Sequence, residues 1–436
     1  MIYKEFFVSL QHQRYVDLLS LRPSDMNMQE IKISVIGLGY VGLPILSLFS
    51  SKYNCWGLDT NNMRIQQLLS GIDAKGCISS SEVTDLMKRC VISNSWDAIS
   101  NCNFYIITVP TPIDDKNTPD ISALEDACNS LSQIISRGDV IVFESTVYPG
   151  ATEELCIPIL EKGSNLKSNS DFFVGYSPER INVGDNEHGL ANTPKIVSAQ
   201  NNETLDAIYN IYNNVFNAGI IKASSIKTAE AAKMYENVQR DVLIALANQY
   251  SDYCLTEGLN IKEVTNCAST KWNFSKVYPG LVGGHCISVD PYYLLARAKA
   301  KGTDLQLIET ARSINEAKVG LVAKRIVGYV NDTFPDCDNL SVLVLGFSYK
   351  KDVGDVRNTK VAELIDILSK SIRKIECYDP LVDPNEVKNT YGLNIIISKE
   401  DISDNDYDMA IIAVKHKCIN NLQYKAKTTI ELEDFL

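Results

Sequence analysis

Residues 31-IKISVIGLGYVGLPILSLFSS-51 decide the fold of this chain. A short apolar strand runs into Gly37, Gly39 and Gly42, spaced G-x-G-x-x-G, and an apolar helix opens behind them. The first glycine makes the turn, the second lets a pyrophosphate approach the backbone, and the third allows close helix–strand packing. The helix N-terminus then offers unpaired N–H groups to the phosphates. A second strand, 53-YNCWGLDT-60, ends at Asp59, about 20 residues on, where a carboxylate can hold ribose hydroxyls. An acid there favours NAD over NADP, because a 2′-phosphate would meet like charge. Arg64 pulls the other way, since a nearby arginine could accommodate that phosphate. The reading is NAD.

Outward from this turn the same grammar continues. Strands are expected at 103-NFYIITVP-110 and 139-DVIVFEST-146, with a helix over 121–136 between them. Ligands gather at the carboxyl ends of strands in an open parallel sheet, so Thr111 and Thr146 lie where a cofactor would be. Threonine and proline are also ordinary turn residues, and the loops alone leave both readings open. A loop with paired charges follows, 174-VGYSPERINVGD-185, and then a long helical pattern at 227–258. On it Lys233, Asn237 and Arg240 share one face, and apolar neighbours such as Ala229, Val238 and Ile244 make the helix largely buried. Buried Lys and Asn need partners. A second long helix is expected at 303–330. Strand–loop–helix grammar restarts at 340-LSVLVLGFSYKKDVGDVRNTKVAELIDIL-368, with strands again at 374-KIECYDPLVD-383 and 408-DMAIIAVKH-416.

Composition narrows the class. The chain has 436 residues, which implies more than one core, and 45% hydrophobic with 22% charged residues is that of a globular protein. A net charge of -12 argues against a nucleic-acid or anionic-membrane partner. Twelve cysteines are scattered without C-x-x-C pairs or metal spacing, so no metal is expected and the thiols read as free in a reducing cytoplasm. No apolar run is long enough for a bilayer. Residues 1–30 read as an appendage without a catalytic role. In 277-VYPGLVGGHCISVDPYYL-294, Cys286 follows two glycines and His285, with Asp290 four positions on. Alone, that loop fits a packed thiol as well as a nucleophile.

Together the stretches GLGYVGLP, VPTP, EST-x-x-PG, SPERI, AEAAKMYENVQRD, GGHCISVDPYYL and YKKDVGDVR resemble the UDP-glucose/GDP-mannose dehydrogenase family, in order, from Ile31 onward. The resemblance implies an α/β fold of two Rossmann-like domains joined by a long central helical dimerisation segment. Its boundaries here would be an extension over 1–30, the NAD domain over 31–222, the helical segment over 223–330 and the UDP-sugar domain over 331–436. It implies a homodimer or higher homo-oligomer and a four-electron oxidation of a sugar C6 hydroxyl. In that chemistry Cys286 would be the nucleophile, with Asp290 supporting hydrolysis, Lys233 moving the proton and Asn237 beside it. Glu179 and Thr146 would organise a proton-transferring water and the nicotinamide end. Arg180, Ile181, Arg240, Gly283, His285, Tyr349 and Lys350, with Glu179, Lys233 and Asn237, would touch substrate. Tyr40, Val41, Asp59, Arg64, Thr111 and Arg357 would join the glycines at the cofactor.

His285 before the cysteine and 287-ISVDPYYL-294 after it resemble branches acting on UDP-N-acetylhexosamines, whereas UDP-glucose branches carry serine and a lysine–aspartate there. The short PGLVGG loop is similar to that of enzymes making uronic acids for capsules and O-antigens from UDP-N-acetylglucosamine or its galacto epimer. Alternatives are a UDP-glucose 6-dehydrogenase, a non-catalytic nucleotide-sugar sensor and a two-electron hydroxyacid dehydrogenase. The last two would not need Cys286, Lys233, Asn237 and Asp290 together.

Overall fold

A computed structural model describes residues 31–180, 189–335, 339–403 and 405–436. The expectations for residues 1–30 and for Ile181 lie outside these. The chain forms two compact units. One runs to Asp114 and again over Pro119–Lys233; the other takes Asp115–Thr118 and Met234–Leu436.

The first unit is built on β1 (Lys32–Ile36), β2 (Asn54–Leu58), β3 (Cys90–Ser93), β4 (Phe104–Ile107), β5 (Val140–Phe143), β6 (Phe173–Tyr176), β7 (Lys195–Ala199) and β8 (Ile220–Lys222). They form one sheet in the order β3-β2-β1-β4-β5-β6-β7-β8. The β6–β7 pair is antiparallel and the other pairings are parallel. The first six follow the order expected of a dinucleotide fold. Both faces are covered, which is why the strands read as unbroken apolar runs. Phe104, Ile106, Val140 and Val142 pack on one face, and Tyr105, Ile107, Ile141 and Phe143 on the other.

The second unit carries four parallel strands, β9 (Ser341–Leu345), β10 (Lys374–Tyr378), β11 (Asp406–Ile412) and β12 (Lys425–Glu431), in the order β10-β9-β11-β12. Its β9 alternates in the same way, with Val342 and Val344 on one face and Leu343 and Leu345 on the other. Both long helices form, at Ile226–Thr256 and Gln306–Thr333. Among the described residues no helix is long and apolar enough to cross a membrane.

One turn device occurs in both sheets. Gly37 donates its N–H to Leu58 O at 2.8 Å, and Leu38 donates to Asp59 Oδ2 at 2.8 Å. Gly346 donates to Tyr378 O at 2.8 Å, and Phe347 to Asp379 Oδ2 at 2.8 Å. Each sheet therefore uses an aspartate at the end of the neighbouring strand to pin the turn leaving its first strand. Both turn glycines are backed by the next strand's end: a Cβ at Gly37 would lie 3.0 Å from Thr108 O, and one at Gly346 2.5 Å from Val414 O.

Asp139, at the entrance to β5, is buried and accepts the Ser136 N–H at 2.8 Å. Burial pushes its carboxyl from 3.8 up to about 7. The folded protein therefore holds a proton that the unfolded chain releases. That contribution to stability is complete below the unfolded value and is lost as pH rises through about 7. Asp139→Asn, which keeps the acceptor without the charge, is expected to raise stability at pH 8 by on the order of 2–4 kcal/mol and to change little at pH 4. Urea midpoints of both proteins at the two pH values check this.

Candidate active site

The glycine turn is shaped for a dinucleotide. Gly37 sits at φ +92°, a left-handed conformation that L side chains rarely adopt. A Cβ at Gly42 would stand 1.8 Å from Gly37 O and 2.4 Å from Thr108 Oγ1, so the helix Gly42–Phe49 starts in contact with the turn. Thr108 closes that corner by donating its hydroxyl to Gly37 O at 2.7 Å. At Gly39, in contrast, a Cβ would meet nothing within 4 Å. The middle glycine borders open space, the position from which a pyrophosphate would be approached, and the residues present fit the group.

Arg64 is not directed to a second phosphate. It is 4% exposed; its Nε donates to Leu38 O at 2.8 Å and its Nη1 pairs with Asp73 at 2.7 Å. The guanidinium therefore braces the turn from behind, and its charge is already neutralised. Tyr40 is buried with the Lys75 ammonium 4.9 Å over its ring, and Val41 packs against the core behind the turn.

At the carboxyl edge of the same sheet, Ser145 donates to Val109 O at 2.7 Å, joining the loop of Thr146 to the loop of Thr111. Glu230 accepts the N–H groups of Gly150 at 2.5 Å and Thr152 at 3.0 Å. This fastens the long helix, one turn before Lys233, to the loop after β5. Glu179 is buried, and Lys195 Nζ lies 3.3 Å from its Oε2. Arg180 donates to Pro194 O at 2.8 Å.

The second unit holds the cysteine loop. Among the eleven described cysteines seven are buried, whereas Cys286 is part-exposed, as a reacting thiol must be. Its Sγ lies 3.4 Å from His285 Nδ1, and His285 Nε2 lies 3.7 Å from Asp355 Oδ2. Burial would raise the Asp355 carboxyl, but hydrogen bonds and charge from Arg357 outweigh it and hold the group below the usual range. Arg357 grips Asp355 with Nε at 2.9 Å and Nη2 at 2.5 Å.

One helical turn after Cys286, Asp290 opens the helix Asp290–Ala300 and donates its N–H to Cys286 O at 2.9 Å. Its buried carboxylate accepts from Asn237 Nδ2, and Asn237 Oδ1 accepts from Arg240 Nη2. The amide is thus fixed at both ends. Lys233 is buried one turn earlier on the same helix. Arg312, 1% exposed, supports the loop from below by donating to Ile287 O at 3.2 Å while paired with Asp241 at 2.8 Å.

The glycines before Cys286 make room for protein. A Cβ at Gly283 would lie 2.6 Å from Asn358 O, and one at Gly284 would lie 2.8 Å from the Tyr349 ring. Asn358 Nδ2 donates back to Gly284 O at 3.0 Å. The Tyr349 hydroxyl is pushed up to about 12 by burial first, and then by Asp355 and Cys286. These contacts interlock the cysteine loop with the loop that carries Lys350 and Arg357.

Comparison with known proteins identifies the family. Residues 31–216 match the NAD binding domain of the UDP-glucose/GDP-mannose dehydrogenase family, 227–317 its central domain and 343–432 its UDP binding domain. The chain belongs to the UDP-glucose/GDP-mannose dehydrogenase family. It is 40% identical over 395 residues to the UDP-N-acetyl-D-glucosamine 6-dehydrogenase of Pseudomonas aeruginosa, covering 91% of this chain and 93% of that protein. It is 41% identical over 385 residues to protein CapL of Staphylococcus aureus, covering 88% and 90%. A solved structure of a UDP-D-ManNAc dehydrogenase from Pyrococcus horikoshii superposes with a TM-score of 0.83 at 28% identity, over 93% and 96% of the two chains.

As a family member the chain is an NAD-binding nucleotide-sugar dehydrogenase, with the α/β, two-Rossmann architecture expected from the sequence. Cys286, Asp290, Asn237, Arg240, His285, Gly283 and Tyr349 come together in one unit, with Arg357 bound to the carboxylate that faces His285. Four residues of these surroundings went unremarked in the sequence: Thr108, Glu144, Lys195 and Asp355. Glu144 stands inside the EST motif and Asp355 inside YKKDVGDVR, so motif membership was the available signal for both.

Proposed function

We propose that this protein oxidises the C6 hydroxyl of UDP-N-acetylglucosamine to the carboxylate in two NAD-dependent steps, passing through a covalent adduct on Cys286, for capsule or O-antigen synthesis. The observation that carries the reading is the part-exposed Cys286 one turn before a buried Asp290 whose carboxylate is clamped by Asn237. NAD, when bound, supplies the hydride acceptor for each oxidation.

The protein groups divide the remaining work. Lys233 takes the C6 hydroxyl proton as the hydride leaves and then steadies negative oxygen. Cys286 adds to the aldehyde carbon, so the intermediate stays bound and a second hydride can depart from a thiohemiacetal. Water then cleaves the thioester, with Asp290 and Glu179 on the proton path. His285 and Tyr349 border the sugar nucleotide. Asp59 accepts the ribose hydroxyls, and Arg64 is engaged by Asp73 and by Leu38 O.

The N-acetylglucosamine assignment is supported by His285 in the cysteine loop and by the 40% identity to a protein of that name. With purified protein and NAD, kcat/KM is expected to be highest on UDP-N-acetylglucosamine among its galacto and manno epimers and UDP-glucose. Turnover fastest on UDP-glucose would overturn the substrate assignment. We also propose a homodimer through the long helix, where Leu246, Tyr250 and Tyr253 are exposed at i, i+4 and i+7. Light scattering should give twice the 48.5 kDa chain mass, and Leu246→Asp with Tyr253→Asp should give one.

A further inference from the structure

The first unit contains a buried charged group that the proposed chemistry does not use. Lys195, at the start of β7, is 3% exposed. Its Nζ lies 2.5 Å from Glu144 Oε2 and 3.3 Å from Glu179 Oε2. Glu144 is fully buried at the end of β5, and Tyr212 on the helix Asn202–Asn213 donates its hydroxyl to Glu144 Oε1 at 2.5 Å. The Phe216 ring lies 5.7 Å from the ammonium. The ammonium and the phenol both meet Glu144, and the ammonium also reaches Glu179, in a water-poor setting. Burial lowers the proton affinity of Lys195, yet Glu144 and Glu179 outweigh it, so the cation is retained.

Such a cluster is a poor way to gain stability, because desolvation of buried charges offsets most of their attraction. Its placement gives it another use. Glu144 is two residues before Thr146, and Glu179 stands three residues after the end of β6, so the cluster underlies the carboxyl edge of the sheet where both are found. Glu144 is the doubly held member, and it fixes Lys195 in turn.

We propose that Lys195 is a positioning residue for the proposed reaction: held by Glu144, which Tyr212 fixes in turn, it orients the Glu179 carboxylate for its part in thioester hydrolysis. This rests on the reading of Cys286 and Glu179 given above. In that step the water oxygen bonds to the thioester carbon, and the C–S bond breaks with its electron pair going to sulfur. One water proton ends on the thiol and the other in solvent. Misplacing the carboxylate slows this step, and displacements of about 1 Å can cost on the order of 10²-fold in rate.

The test measures decay of the Cys286 adduct by intact mass after a single turnover of UDP-N-acetylglucosamine, from pH 6 to 9. Lys195→Met is expected to lengthen the adduct half-life on the order of 10²-fold while leaving NAD affinity unchanged. The pH profile of decay should change shape as well, which loss of packing alone would not cause. Lys195→Arg should recover most of the rate, and Tyr212→Phe, which keeps the ring, should slow decay several-fold. Normal decay in Lys195→Met with slow decay in Glu179→Gln would overturn the role of Lys195 alone. Normal decay in Glu179→Gln would instead remove the reading on which it rests. If Lys195→Met does not fold, normal decay in Tyr212→Phe overturns the proposal.

Discussion

Cys286→Ser is expected to reduce two-step turnover by on the order of 10³-fold or more, while NAD affinity stays within a factor of two. Serine fits the site, since it replaces one sulfur and the loop contacts are backbone and glycine contacts. What it lacks is an anion near neutral pH: the thiolate is the working nucleophile, and a thiol ordinarily ionises near 8.5. The aldehyde would then be captured poorly, and NADH yield should fall toward one equivalent per sugar with aldehyde detectable by hydrazine trapping. Two NADH per sugar at wild-type rate in this variant would show that Cys286 is not the nucleophile. His285 Nδ1 lies 3.4 Å from the sulfur, and seven of the ten other described cysteines are buried.

The second large effect separates two glycines three residues apart. Gly39→Ala leaves the free protein unstrained, because the added carbon meets nothing within 4 Å. That same carbon enters the space through which a pyrophosphate reaches the backbone, so NAD affinity is expected to fall about 100-fold with the melting temperature unchanged. Gly42→Ala behaves in the opposite order. Its methyl group would meet Gly37 O at 1.8 Å, a backbone atom that cannot step aside as a side-chain tip can. The helix Gly42–Phe49 must move off the turn, and overpacking of this kind costs about 1–3 kcal/mol or more. Thermal melts and NAD titration of the two variants, run side by side, check both. Equal loss of stability in both would mean that Gly39 is a packing residue too.

How far the sequence carried these conclusions differs by element. The glycine turn and the strands reading FYII and VIVF were legible because a doubly covered parallel strand leaves a short apolar run, and the turn needs glycine at set spacings. Asp290 and Asn237 were legible through motif and helical spacing. Arg64 was not: sequence placed it near the ribose and left its partner open, whereas the fold delivers Asp73 to it. Lys195 was hidden for a similar reason. Standing before the run IVSA it reads as the solvated flank of a strand, and its partners are 16 and 51 residues away. The surroundings of the cysteine-loop glycines were hidden as well: they give clearance to Tyr349 and Asn358, which approach from a loop more than sixty residues on.

The central claim is a covalent four-electron oxidation, and the ratio of NADH formed to UDP-N-acetylglucosamine consumed tests it most directly. Purified protein with excess NAD should give two NADH per sugar, with the product heavier by one oxygen and lighter by two hydrogens, as a uronic acid is. One NADH per sugar, with aldehyde or ketone released to solution, would contradict it.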